Sequence, residues 1–367
     1  MNPFAIDLSP HRYVKLSGSL SNISGILSPF GKKAFILFDP FIHEKYGALL
    51  TENLKKGRYN IQAGILKGEC CREEGLSHLE GLEKSPPDFI VGMGGGKTID
   101  MAKWIAKNME KPFVSIPTSV ATCAAATSIS VLYTPDGHYQ ETVAAVPPSL
   151  TLVDPDILIS QPPRLLAAGM ADAMAKWIEA RGMRKQHHKR ILSASALSLS
   201  RLTYEFLTKR GTRALEDLKR GEWTQTLSEI VYVNLLTTGL ISTLGGKAVR
   251  VSAAHAFSEA FCGTGSKKGI LHGEWVTFGM IFQMVLERTP LPVINRHLFL
   301  FGRWGLPLTL NELGIDKNER LREAVIRKMV EGKSPIHNLL MPVNTGQVLN
   351  AILEADSLGG KTKKVTG

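Results

Sequence analysis

The sequence predicts two domains of different class: an α/β, doubly wound, Rossmann-like domain over residues 1–160, and an all-α domain over residues 161–367. Three observations carry the prediction. A chain of 367 residues is long for a single core. Its first part alternates short apolar runs with helical patterns, which argues a parallel sheet covered on both faces. After Asp154-Pro155 the texture changes, and apolar residues recur at spacings of three and four with few β-branched runs.

In order along the first part, Lys33–Phe38 (K-A-F-I-L-F) is a buried-strand run ending at Asp39, and Phe41–Lys56 follows as a helix. Arg58–Ile65 is a strand and Arg72–Glu83 a helix. Asp88–Val91 is a strand, Lys97–Met109 a helix, and Phe113–Ile116 a strand stopped by Pro117. Ser128–Tyr133 and Leu150–Val153 complete the set. The boundary falls near residue 160, in P-D-I-L-I-S-Q-P-P. Beyond it, Leu165–Arg181, Ile191–Lys209, Thr224–Thr243, Val249–Phe261, Gly273–Glu287, Pro292–Trp304, Asn318–Glu331 and Thr345–Leu358 read as helices. The tail G-G-K-T-K-K-V-T-G reads as mobile.

Bulk properties exclude several classes. Apolar content is 44%, and no window of eighteen uninterrupted apolar residues points to a membrane span. The N-terminus lacks a signal-peptide layout. Four cysteines, at 70, 71, 123 and 262, form neither a zinc-finger spacing nor a disulfide framework, so reduced thiols and a cytoplasmic location are expected. The net charge of +11 suits an anionic small-molecule partner, but the basic residues are scattered and no aromatic interleaving suggests nucleic acid. His187 and His188, in R-K-Q-H-H-K-R, read as a solvated basic face. Composition is silent on oligomer size.

Asp88–Asp100 reads D-F-I-V-G-M-G-G-G-K-T-I-D. A Walker A loop would need glycine where Val91 stands, and the third glycine of G-x-G-x-x-G is replaced by Lys97. The physics survives both failures. A strand end, three glycines without Cβ and a helix N-terminus present backbone N–H groups to a pyrophosphate. The alternative is a tight strand-to-helix turn that binds nothing. Pro117–Tyr133, rich in small residues and hydroxyls, can admit a flat ring, or is simply a loop. Asp39 can accept from ribose hydroxyls and disfavour a 2′-phosphate, or is an ordinary turn aspartate.

In the helical part Asp172 lies in L-L-A-A-G-M-A-D-A-M-A-K-W, a stretch suited to burial, where a carboxylate needs a partner. His255 lies in S-A-A-H-A-F, and His272 opens the helix that begins L-H-G-E. Two imidazoles and a carboxylate can form a divalent-metal triad with a fourth position for water or substrate, although a lone helical histidine is more often part of the core or surface.

Five segments together, G-G-G-K-T-x-D, P-T-x-x-A-T-C-A-A, G-M-A-D-A-x-A-K-W, A-H-A-F and H-G-E, resemble the glycerol dehydrogenase-like branch of the iron-containing, metal-dependent alcohol dehydrogenase superfamily. Their order and spacing match from about residue 10 to residue 350. The resemblance implies a dehydroquinate synthase-like architecture, with a nucleotide-binding domain, a helical metal-binding domain and the active site in the cleft between. It implies Asp172, His255 and His272 as the metal ligands and catalytic centre. It also implies dinucleotide contacts from Asp39, Gly94, Gly95, Gly96, Lys97, Thr98, Thr118, Thr127, Ile129 and Tyr133. The cofactors it implies are NAD(H), with NADP(H) as the other choice, and one divalent metal. By the resemblance alone, a homo-oligomer, from dimer to octamer, is expected.

Two departures from the family pattern bear on chemistry. The iron-dependent alcohol dehydrogenases carry a histidine four residues after the metal-binding aspartate, where this chain has Lys176. An ammonium cannot ligate a cation, so three protein ligands remain. Zn²⁺ is then the first choice and Fe²⁺ the alternative. Glycerol dehydrogenases typically carry an aspartate beside the polyol where this chain has Cys123. Loss of that anion removes a hydroxyl acceptor and a repulsion against carboxylates. The main expectation is therefore hydride transfer between NAD(P)(H) and a small 2-oxo or 2-hydroxy acid, as in hydroxycarboxylate dehydrogenase-like members. The alternative is glycerol, dihydroxyacetone or a related diol. A dehydroquinate synthase-like lyase is the remote alternative, and a nucleotide-sensing protein without turnover is another.

Overall fold

Five apolar runs and one short segment pair side by side into a single parallel sheet, in the computed structural model of the chain. The structure describes residues 8–366 except 19, 21, 182–189, 263–268 and 316–318. The strands are β1 (Tyr13–Lys15), β2 (Lys33–Phe38), β3 (Asn60–Ile65), β4 (Phe89–Gly94), β5 (Phe113–Pro117) and β8 (Leu150–Val153), in the spatial order β1-β8-β5-β4-β2-β3. β4 and β5 are buried along their whole length, and β2 is buried after Lys33, as the apolar runs require of strands covered twice. Successive residues feed opposite cores. Ala34, Ile36, Phe38, Val91 and Met93 pack on one side of the sheet, with Phe35, Leu37 and Ile90 on the other. Each large apolar side chain buried there contributes about 1.5–3 kcal/mol.

The helices of this first unit are α1 (Ile23–Leu27), α2 (Pro40–Ile42), α3 (Ala48–Lys56), α4 (Arg72–Leu82), α5 (Gly96–Asn108) and α6 (Pro155–Leu158). The helix expected over Phe41–Lys56 is interrupted by a π-turn at His43–Gly47. One further expectation is corrected, and two strands are added. Ser128–Tyr133 does not join the main sheet: β6 (Ile129–Tyr133) pairs antiparallel with β7 (Tyr139–Ala144), a strand the sequence reading lacked. Its alternating half-buried pattern suits a two-stranded ribbon better than a central strand. β1, three residues long, was too short to show a period.

The chain divides into two compact units, Met1–Gln161 with Gly221–Trp223, and Pro162–Arg220 with Thr224–Gly367. The second unit is helical: α7 (Pro163–Arg181), α8 (Ile191–Lys219), α9 (Gln225–Tyr232), α10 (Thr238–Arg250), α11 (Ala253–Phe261), α12 (His272–Leu286), α13 (Leu291–Arg303), α14 (Glu319–Glu331) and α15 (Thr345–Thr366). α7 packs on α8, α10 and α12, and α11 packs on α12. α8 runs ten residues past its expected end, and a π-turn at Val233–Thr237 separates α9 from α10. Among the described residues one stretch, Gln225–Gly246, is long and apolar enough to cross a bilayer by length and composition; 56% of its apolar eighteen-residue window is buried, as in the core helix of a helical domain. The tail expected to be mobile continues α15 to Thr366. A Cβ on Gly359 would stand 1.9 Å from Leu308 O, so this glycine permits close packing rather than freedom. The basic run holding His187 and His188 lies outside the described residues.

Candidate functional site

In the second unit three helices converge through small residues. A Cβ on Gly273 of α12 would meet Ala168 O of α7 at 1.9 Å, and one on Gly279 would meet Ala254 O of α11 at 2.4 Å. α12 therefore lies backbone against backbone on both neighbours, a spacing larger side chains would forbid. That packing brings Asp172 from α7, His255 from α11 and His272 from the first turn of α12 together, with ligand atoms all within 4.8 Å of one another. Asp172 Oδ1 is 3.3 Å from His255 Nε2 and 3.7 Å from His272 Nε2. Two donors on a tetrahedral zinc stand about 3.4 Å apart, so the spacing and the one-carboxylate, two-imidazole chemistry fit a divalent cation. Asp172 and His255 are buried, whereas the His272 side chain is 34% exposed, which leaves the triad one open side.

Surrounding groups fix this arrangement. Glu179, fully buried, accepts from Ser252 N at 2.6 Å and His255 N at 3.0 Å, and lies 2.6 Å from His255 Nδ1. One carboxylate thus caps the buried N-terminus of α11 and sets the imidazole tautomer, turning Nε2 toward Asp172. Gln283 Oε1 accepts from Ala254 N, the next free amide of the same turn. Arg164 of α7 bonds both oxygens of Glu274, which also accepts from Leu271 N at 2.8 Å, so the end of α12 that carries His272 is anchored. Ser258 Oγ lies 3.3 Å from His272 Nδ1.

Lys176, one turn after Asp172, is buried with its Nζ 3.1 Å from Asp172 Oδ1 and 3.1 Å from His255 Nε2. Burial pushes the Asp172 carboxyl up, but the neighbouring cationic and donor groups, the Lys176 ammonium first among them, outweigh it and hold the group well below the ordinary carboxylate range. For His255, burial works against a charge, and the Glu179 and Asp172 carboxylates act together in the opposite direction, which pushes the ring upward. The ammonium at Nε2 argues the other way, because two cations do not share a contact. We take the ring as neutral, with its proton on Nδ1 toward Glu179.

In the first unit the glycine turn and Asp39 end adjacent strands. β2 is followed in the chain by β3 on one side and lies beside β4 on the other, so the sheet order reverses there. Ligands of open α/β sheets bind at this kind of point, outside the strand C-termini. Asp39 N bonds Met93 O, and Thr118 N bonds Gly94 O, which lines up the ends of β2, β4 and β5. Gly95 precedes α5 in extended conformation, and no side chain caps that helix. None of Gly94, Gly95 and Gly96 needs a left-handed backbone. Gly94 is demanded by the Thr98 side chain, 2.7 Å from where its Cβ would be. A Cβ on Gly95 would meet only Ser119 Oγ, at an ordinary contact distance of 3.7 Å.

The other residues expected at a dinucleotide are placed as follows. Asp39 Oδ1 accepts from Phe41 N and Ile42 N, capping α2 and leaving Oδ2 for a ligand. Lys97 pairs with Glu69 at 2.6 Å and lies 5.8 Å over the Tyr133 ring. Thr98 is buried in the first turn of α5, where its backbone N–H is free of the helix, whereas Thr127 is buried with its hydroxyl and carbonyl toward Lys103 and its N–H bonded to Ala124 O, so the structure holds Thr127 in the loop rather than offering it to a ligand. Thr118 is buried, Ile129 and Tyr133 are half-buried, and Cys123 is half-buried at the start of the Ala124–Ala126 turn.

The sequence reading missed three groups. Glu179 stands seven residues after Asp172, hence on the same face of α7, a spacing that could have exposed it. Lys176 was read only as a residue that cannot ligate. Lys103, fully buried, pairs with Asp100 and donates to Ala124 O, Thr127 O and Ile129 O, which pins the segment before β6 onto α5. Burial also pushes the Cys70 thiol up, consistent with a packed, unreactive cysteine.

A parallel sheet with a glycine turn is thus joined in sequence to a helical unit that carries an Asp-His-His cluster. Residues 10–155 match the family model described as iron-containing alcohol dehydrogenase. The chain is 35% identical to the glycerol dehydrogenase of Thermotoga maritima over 97% of this chain and 98% of that one. It is 27% identical to hydroxycarboxylate dehydrogenase A of Escherichia coli, over 99% and 98%. The crystal structure of glycerol dehydrogenase from Schizosaccharomyces pombe superposes with a TM-score of 0.85 at 30% identity, covering 99% of this chain and 93% of that one. The chain belongs to the iron-containing alcohol dehydrogenase superfamily, in its glycerol dehydrogenase-like branch, and is an oxidoreductase.

Proposed function

We propose that the chain is a dehydrogenase of glycerol or a closely related small diol, dependent on a divalent metal and on NAD(H). The observation that carries this reading is the convergence of Asp172, His255 and His272 in a chain whose relatives at 30–35% identity are named glycerol dehydrogenase. The preference for a 2-oxo or 2-hydroxy acid, drawn from Cys123, gives way to the diol, because that preference rested on one position and the similarity spans the whole chain.

When bound, the cation supplies a Lewis acid for the alcohol oxygen and the nicotinamide supplies the hydride acceptor. The residues of the chain do the rest. Asp172 provides the anionic ligand, and Glu179 keeps His255 Nε2 aimed at the cation. The exposed side of His272 admits the substrate. In the first unit, the backbone amides of Gly96, Lys97 and Thr98 at the uncapped start of α5 would hold the pyrophosphate, and Asp39, whose Oδ1 caps α2, would accept from the ribose. That carboxylate favours NAD(H) over NADP(H). Zinc suits three ligands of this type, with ferrous iron the second choice. We place the enzyme in the cytoplasm, as a homo-oligomer, on its four free thiols and its family.

A second reading, reduction of 2-oxo acids, is favoured by Cys123 and by the hydroxycarboxylate dehydrogenase relative. One experiment separates the two. Purified protein is given NADH or NADPH with dihydroxyacetone, 2-oxobutyrate or 2-oxoglutarate, and NAD with glycerol, and cofactor absorbance is followed with and without a chelator. The diol reading expects chelator-sensitive turnover with dihydroxyacetone and glycerol. Turnover confined to the 2-oxo acids overturns it.

A further inference from the structure

Lys176 is the one residue of the cation cluster whose role the triad does not explain. We propose that Lys176 is a built-in competitor for the cation site: its ammonium offsets one of the two buried carboxylate charges when no divalent ion is bound, and must release His255 Nε2 when one binds. The inference rests on the reading of Asp172, His255 and His272 as a cation site.

Three observations support it. First, the Lys176 side chain is 4% exposed, beside Asp172 at 5% and within one further turn of Glu179 at 0%. A buried ammonium is tolerated only with partners of opposite charge, and these two carboxylates are there. Second, the ammonium uses the same atoms that would ligate, Asp172 Oδ1 and His255 Nε2, each at 3.1 Å. With Nδ1–H given to Glu179, a neutral imidazole has a single lone pair left, on Nε2. That pair can accept from Lys176 or bind a divalent ion, not both. Third, the charge count favours the same exchange. With neutral rings, two carboxylates and one ammonium sum to −1, and a divalent cation takes the cluster to +1. Without the ammonium the same two states would be −2 and 0. Lys176 therefore steadies the cation-free cluster and opposes the loaded one.

The expected consequence is a trade. Lys176 lowers the affinity for the cation and keeps α7 and α11 folded together in its absence. Lys176→Met and Lys176→Gln test it, the glutamine retaining a neutral donor in case the methionine variant does not fold. Zinc affinity is measured by competition with a chromogenic chelator, and the melting temperature is measured in excess EDTA. Both variants are expected to bind zinc at least about tenfold more tightly than the unmodified chain. In EDTA they are expected to melt several degrees lower, with the deficit abolished by zinc. Unchanged or weaker zinc binding in a folded variant overturns the proposal, as does an unchanged melting temperature in EDTA. If the unmodified chain itself takes up no zinc, the reading of the triad fails and the proposal falls with it. If that chain binds zinc and the variants bind it equally, only the role of Lys176 fails.

Discussion

Glu179 holds the candidate site at the residue scale, since one carboxylate accepts from two backbone amides of α11 and faces the Nδ1 of His255. Glutamine there would keep the size but lose the charge, and would turn an N–H₂ group toward at least one of these donors. Glu179→Gln should weaken zinc binding about 10- to 100-fold and lower unfolding stability by about 1–3 kcal/mol, measured by chelator competition and urea titration. Asp172, His255 and His272 stood out in the sequence as polar residues in otherwise apolar helical stretches, but only the family resemblance tied the three together. Glu179 and Lys176 did not stand out, because their roles depend on which turn of α7 faces α11. Only the paired helices decide that. Cys123 misled in a different way: one substitution in a loop was weighed as though it fixed the substrate.

Glycines position the candidate sites at the scale of elements. Gly273 sets the distance between α12 and α7, so Gly273→Ala would push a methyl group into Ala168 O and displace the turn that carries His272. Overpacking of this kind costs about 1–3 kcal/mol. The variant should melt lower and bind zinc more weakly, measured by calorimetry and chelator competition. Gly95→Ala is the opposite case, because its added methyl group meets only Ser119 Oγ, at an ordinary contact distance of 3.7 Å. It should melt like the unmodified chain yet lose NADH affinity by tenfold or more, measured by fluorescence titration; unchanged NADH binding would remove the turn from the cofactor site. The central strands were legible because burial on both faces makes a run uniformly apolar, as in β2 and β4. β7 was missed because its residues are only half-buried or exposed, and the C-terminal part of α15 because its lysines and glycines mimic a solvated tail.

For the molecule as a whole, a change of texture near residue 160 separated parallel α/β from helical sequence, and the compact units divide at Pro162. Texture could not show that Gly221–Trp223 sits with the first unit, since three residues carry no period. Nor could it show why α12 is so apolar: every residue from Gly273 to Leu286 is buried, so no polar face marks it. A bound cation should stabilise the folded chain by mass action, by about 2.7 kcal/mol at a hundredfold excess over its dissociation constant. The most direct test of the account is the zinc content of the purified chain after chelation and re-dialysis, compared with His255→Ala and His272→Ala. One zinc per chain in the unmodified protein, and none in variants that still melt cooperatively, is the predicted result. Variants that retain a full equivalent of zinc, or an unmodified chain that takes up none, would contradict it.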